Sequence, residues 1–190
     1  PEDYYDEAKR CVKDLGFVAL KITPIAHACH PSSKDAYYVY EVCRDLKVPL
    51  MIHTGNGIPF ADPTSVYKGA ADHPDVPVIL AHAGSESFNQ QARILAAKLD
   101  NVFLEPSWCG TNAVKHMIEE VGCDKILFSS DNFDQIPVEL AKYRQIPLPH
   151  TFFPCNSMIK KGPGNSSQSY KRIYLNRLCP KAMPLFFYSP

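Results

Sequence analysis

Apolar residues along this chain fall into two alternating kinds of run. The first kind is short and unbroken: FVALKIT (Phe17–Thr23), VPLMIH (Val48–His53), VPVILAH (Val76–His82), NVFLEP (Asn101–Pro106) and KILFSSDNF (Lys125–Phe133). A continuous apolar run, rather than an alternating one, is the pattern of a strand covered on both faces of a parallel sheet. The second kind repeats at helical spacing. Ala8, Cys11, Val12 and Leu15 form one stripe, and Ala36, Val39, Tyr40, Cys43 and Leu46 a second. Phe88, Ala92, Leu95, Ala96 and Leu99 form a third, and Val114, Met117, Ile118 and Val121 a fourth. These stripes predict helices over Glu2–Leu15, after Ser32–Ser33, over Phe88–Leu99 and over Thr111–Val121. Ser33 or Ser32 suits the cap of the second, with Asp35 in its first turn, and Thr111 the cap of the last. Gly16 and Gly122 stand where helices end. A short helix is expected near Pro63–Ala71, and another from about Pro137, a residue type favoured in a first helical turn.

The strands begin near residues 17, 48, 76, 101 and 125, each interval the length of one strand–helix unit. The expected fold class is therefore α/β, with parallel strands joined by right-handed crossovers. Five such units fit either a doubly wound sheet or part of an eightfold barrel. The pattern covers residues 1–145. Residues 146–190 are different: seven prolines, six Lys/Arg, no Asp/Glu and the run GPGNSSQS. That segment reads as a Pro-rich basic tail, poorly structured. The first residue is Pro1, which suggests a fragment or a processed product.

Composition narrows the function class. The 190 residues are 45% hydrophobic and 21% charged with zero formal net charge, ordinary for a globular domain. Nothing in that balance calls for nucleic acid or a membrane surface as partner, and no run is long enough to span a bilayer. No signal-peptide pattern is expected at the N-terminus. The seven cysteines are scattered without a C-x-x-C pair, which favours reduced thiols and a cytoplasmic setting. A small-molecule substrate is the expected partner.

The chemistry sits at the ends of the apolar runs. His53, His82 and Asp131 each close one strand, where α/β proteins place their reactive groups. Two imidazoles and a carboxylate are the N/O donor set of a divalent metal, zinc or manganese, which would supply hydroxide near neutral pH. Asp131 suits a double role as metal ligand and catalytic base, and His82 as ligand or catalytic hydrogen-bonding group. Any one of the three, taken singly, is more often a structural residue; it is their shared position that argues for a site. Lys21, a charge inside an apolar strand, is a candidate for binding an anionic substrate group, against the alternative of a paired or snorkelling lysine. Trp108 and Glu105 are candidates to line the pocket, with ordinary packing as the alternative. The HACH loop (His27, Cys29, His30) looks metal-like, but its spacing in a Pro/Ser-rich loop is a weak signal. No phosphate-binding, dinucleotide or serine-nucleophile motif is present.

Taken together, FVALKITP, VPLMIHTG, VPVILAHAG and KILFSSDNF, in that order and spacing, resemble the amidohydrolase superfamily, in its aminocarboxymuconate-semialdehyde decarboxylase-like branch. The resemblance covers roughly residues 1–145. It implies a partial (β/α)8 TIM barrel, about strands four to eight, with His53 matching the strand-five metal ligand and His82 the strand-six histidine. Asp131 would match the strand-eight ligand and base, and Lys21 the strand-four lysine. The family's strand-one His-x-His pair has no counterpart, so the resemblance implies a weakened metal site. The implied activity is metal-dependent hydrolysis of a C–N, C–O or lactone bond. The alternatives are non-oxidative decarboxylation of an aromatic or unsaturated acid, and a catalytically incomplete barrel fragment acting by association, as a homo-oligomer or with a complementing chain.

Overall fold

The computed structural model describes residues 3–56 and 60–147. All but two residues of the expected tail fall outside that range. Among the described residues, six α-helices and four strands follow in the order α1 (Tyr4–Lys13), β1 (Leu20–Ile22), α2 (Lys34–Leu46), β2 (Leu50–His53), α3 (Tyr67–Asp72), β3 (Val78–Ala81), α4 (Ser85–Lys98), β4 (Val102–Glu105), α5 (Thr111–Val121) and α6 (Ile136–Gln145). The strands lie in sequence order and pair in parallel throughout. Neighbouring strands therefore each require a helical crossover.

Register gives the sheet two unlike faces. Ile22, Ile52, Leu80 and Leu104 share one row, and Leu20, Leu50, Val78 and Val102 another. Both rows enter the main core with Tyr40, Cys43, Leu46, Leu95, Ala96, Met117 and Ile118 from the helices. The intervening row is Lys21, Met51, Ile79 and Phe103. It belongs to the opposite face, where Met51, Ile79 and Ala81 make a small second cluster with Phe103 and Leu127. His53 lies two residues beyond Met51 and so on this second face as well.

The helices form as their stripes predict. Ser33 caps α2, its hydroxyl accepting the Ala36 N–H at 3.2 Å. Gly122 follows α5 with φ +81. Two expectations are corrected. Thr111 is the first helical residue, not the cap; Gly110 takes that position without a side-chain cap bond. Instead the Glu86 carboxylate, from α4, accepts the Gly110 N–H. The KILFSSDNF run does not form a fifth full strand. It makes one bridge, Ile126 to Leu104, with the Leu127 N–H donating to the Leu104 carbonyl at 2.8 Å. Beyond Leu127 the two serines and Asp131 turn the chain away, ending the apolar row that a ladder would need.

Candidate active site

The second face ends in a set of tight turns, and these turns place the site. After β2, the Thr54 hydroxyl donates to the Ala81 carbonyl at 2.8 Å and accepts the Gly84 N–H at 2.9 Å. That pair ties the end of β2 to the turn after β3. Gly55 packs into the same junction at φ +108, and a Cβ there would run into Ser85, so only glycine fits.

The backbone after β3 is unusual. His82, Ala83 and Ser85 have φ of 63, 42 and 52, and Gly84 lies between them at 79. Trp108 at 67 and Asp131 at 59 repeat the feature after β4 and after the Ile126 bridge. Left-handed backbone at non-glycine residues carries a strain cost and clusters at functional sites. His82, Trp108 and Asp131, all identified from sequence, are three of the non-glycine residues that carry it.

These turns bring the candidates together. The His53 and His82 rings meet edge to face with centroids 4.9 Å apart. The Trp108 indole N–H donates to the Asp131 carboxylate at 2.9 Å. The charges of His53, Lys21 and Asp131 all act on His82. Burial lowers the His82 pKa to about 4; His53 and Lys21 push it the same way, and Asp131 opposes them. His82 is therefore a neutral imidazole at physiological pH. Trp108 is half exposed and Lys21 exposed, whereas His82 is buried.

Beneath His82 lie two residues of lesser or no standing in the sequence reading. Ser107 Oγ sits 2.8 Å from His82 Nδ1 and 3.1 Å from Glu105 Oε2. Glu105 also accepts the His82 N–H at 3.1 Å and the Ser107 N–H at 2.9 Å. Burial raises the Glu105 pKa, with the Asp131 charge acting the same way, and these hydrogen bonds oppose the rise without cancelling it. Glu105 is thus a buried support rather than a pocket wall, and Ser107, fully buried, was missed. The signal in the sequence was polar residues continuing directly from an apolar strand. Glu139 and Lys142 of α6 were also missed. Glu139 accepts the Trp108 N–H at 3.1 Å and pairs with Lys142 at 2.6 Å, while Lys142 donates to the Cys109 carbonyl. Together they clamp the Trp108 turn.

The metal expectation meets a geometric obstacle. The donor chemistry is right, yet among the described residues no group of three or more His, Cys, Asp or Glu side chains gathers closely enough to hold an ion. His53 Nε2 lies 2.9 Å from the Asn56 carbonyl, so that nitrogen is a protonated donor rather than a ligand. One Asp131 oxygen is taken by Trp108. His53 and His82 touch, and Asp131 acts on His82 through its charge, but the three side chains are not gathered into such a group. The HACH loop does not form one either: His27 Nδ1 accepts the Thr23 N–H and His30 Nδ1 the Ser32 N–H, as turn acceptors.

Parallel strands with helical crossovers and reactive groups on the turns after them define part of a (β/α)8 barrel of the enzyme kind. Comparison with known proteins agrees. A family model described as amidohydrolase matches residues 1–159, and the chain belongs to that family. Among solved structures it resembles a 2,6-dihydroxybenzoate decarboxylase bound to 2,6-dihydroxybenzoate, with TM-score 0.64 and 18% identity over 84% of this chain and 67% of that one. A 2,6-dihydroxybenzoate decarboxylase from Rhizobium gives 0.63 and 16% over the same shares. A 5-carboxyvanillate decarboxylase from Sphingomonas paucimobilis gives 0.58 and 13% over 82% and 62%. The chain spans about two thirds of the length of these structures. Proteins of the superfamily are generally metal-dependent. No described helix is long and apolar enough to cross a membrane.

Proposed function

We propose that the chain carries the acid–base corner of an amidohydrolase-type active site for a small organic acid. The observation that carries this reading is the convergence of His82, Trp108 and Asp131 on strained turns beside His53. In the first reading the reaction is hydrolysis of a C–N, C–O or lactone bond. Asp131 takes the proton of the attacking water, and the Trp108 indole holds the carboxylate in position. His82, neutral and buried, orients water or substrate through a hydrogen bond rather than a charge. Lys21 holds an anionic group of the substrate on the second face of the sheet. His53, His82 and Asp131 are the residues that would hold a zinc or manganese ion, which would supply hydroxide near neutral pH, and no step here is routed through one.

The second reading is non-oxidative decarboxylation of an aromatic or unsaturated acid. The names of the similar structures support it, as does the half-exposed Trp108 ring, a flat apolar surface beside Asp131. Turnover separates the two readings. A panel of lactones, amides and esters is assayed for acid production, and a panel of hydroxylated benzoates for carbon dioxide release. Hydrolysis predicts activity confined to the first panel and decarboxylation to the second. Inactivity on both contradicts the proposal.

A further inference from the structure

We infer that Ser107, itself anchored by the Glu105 carboxylate, fixes His82 in the tautomer protonated at Nδ1 and makes Nε2 a hydrogen-bond acceptor. The argument is one of proton counting. Glu105 receives the backbone N–H groups of His82 and Ser107 on its two oxygens, at 3.1 and 2.9 Å. The two backbone N–H groups and the Ser107 hydroxyl favour the ionised carboxylate against the burial that raises its pKa, and in that form Glu105 has no proton to give. The Ser107 hydroxyl has a single proton and two neighbours, Glu105 Oε2 at 3.1 Å and His82 Nδ1 at 2.8 Å. Donating to His82 would leave its oxygen facing an acceptor-only anion in a fully buried pocket. Donating to Glu105 satisfies the anion and turns the hydroxyl lone pair toward His82. The 2.8 Å contact is then a hydrogen bond given by His82 Nδ1–H. A buried imidazole takes the tautomer its partner demands. Each group in the chain is then satisfied, as buried polar groups generally are.

The inference deepens the proposed function and rests on it for its consequence. A neutral His82 protonated at Nδ1 presents a lone pair at Nε2. It receives a hydrogen bond from a water or a substrate hydroxyl, and it does not donate one to a substrate carbonyl. Ser107 is thus a positioning residue, acting through His82 and not on the substrate. His53 is fixed the opposite way, since its Nε2 must donate to the Asn56 carbonyl. The two touching rings carry complementary tautomers.

Nitrogen NMR of the whole chain labelled at histidine reads this directly, because the two ring nitrogens differ widely in shift when only one is protonated. At neutral pH the expected pattern is His82 protonated at Nδ1 and His53 at Nε2, with His82→Gln and His53→Gln assigning the signals. Ser107→Ala should move His82 to the Nε2-protonated form or to a mixture, and Ser107→Thr should restore the wild-type pattern. A wild-type His82 protonated at Nε2 overturns the inference, as does an unchanged His82 spectrum in Ser107→Ala. Loss of fold in a variant leaves the wild-type spectrum to decide. Inactivity on both substrate panels would contradict the proposed function while leaving the tautomer as measured.

Discussion

At the scale of single residues, the site is held by buried polar groups whose partners are fully specified. Glu105 is the sharpest case, 3% exposed and surrounded by donors. Glu105→Gln keeps the shape but brings an NH2 group against one backbone N–H, whichever way the amide turns. The expected cost is about 1–3 kcal/mol, the penalty of a buried donor without an acceptor. Urea unfolding checks it, and a midpoint equal to wild type would show that the His82 and Ser107 N–H groups do not depend on both Glu105 oxygens. At this scale sequence picks out the polar residues that close the strands and misses their supports. His53, His82 and Asp131 announce themselves because a polar group closes an apolar strand. Ser107 does not, because the hydroxyl that sets a tautomer looks in sequence like any loop serine. For the metal, membership of a generally metal-dependent superfamily supports the reading without naming the ion. Donor types are visible in sequence, but the bonds from His53 to Asn56 and from Trp108 to Asp131 that occupy them are not.

At the scale of elements, the stripes located four of the six described α-helices, and the continuous runs four strands, because each meets one continuous core. The failures lie where apolar pattern and partner separate. KILFSSDNF has the composition of a strand but spends its polar half on the turn that carries Asp131, so a single bridge is all that forms. At α3, packing overrides propensity. Gly69 is a poor helix former, yet a Cβ there would lie 2.7 Å from the Tyr40 hydroxyl. Tyr40 is fully buried and stacked on His73 with centroids 4.7 Å apart, so it has nowhere to move. Gly69→Ala gains about 0.5–1 kcal/mol in helix propensity and loses about 1–3 kcal/mol to overpacking. Net destabilisation follows, visible as a lowered midpoint in thermal unfolding by circular dichroism. A raised midpoint would mean that the α2–α3 contact is looser than described.

At the scale of the whole molecule, the parallel sheet sorts its two faces into different jobs. One is sealed by helices and supplies most of the buried apolar surface. The other carries a small apolar patch, Lys21 and His53, with the strained turns at its end. Burying the neutral His82 there gives stability a pH dependence. Its folded pKa, about 4, lies below its ordinary value of 6.5, so between them the unfolded chain binds a proton that the folded chain refuses. Its contribution to stability is complete above about pH 6.5 and is lost as pH falls toward 4. His82→Gln should flatten that limb of a plot of midpoint against pH; an unchanged slope would place the acid sensitivity elsewhere.

The central claim is that these turns form one catalytic corner with Asp131 as its base. The most direct measurement is turnover by Asp131→Asn beside wild type, on whichever substrate panel the wild type accepts, with circular dichroism confirming the same fold. The account predicts a loss of at least about 100-fold in kcat, the worth of a positioned general base, with little change in KM. An Asp131→Asn rate within a few-fold of wild type would contradict it.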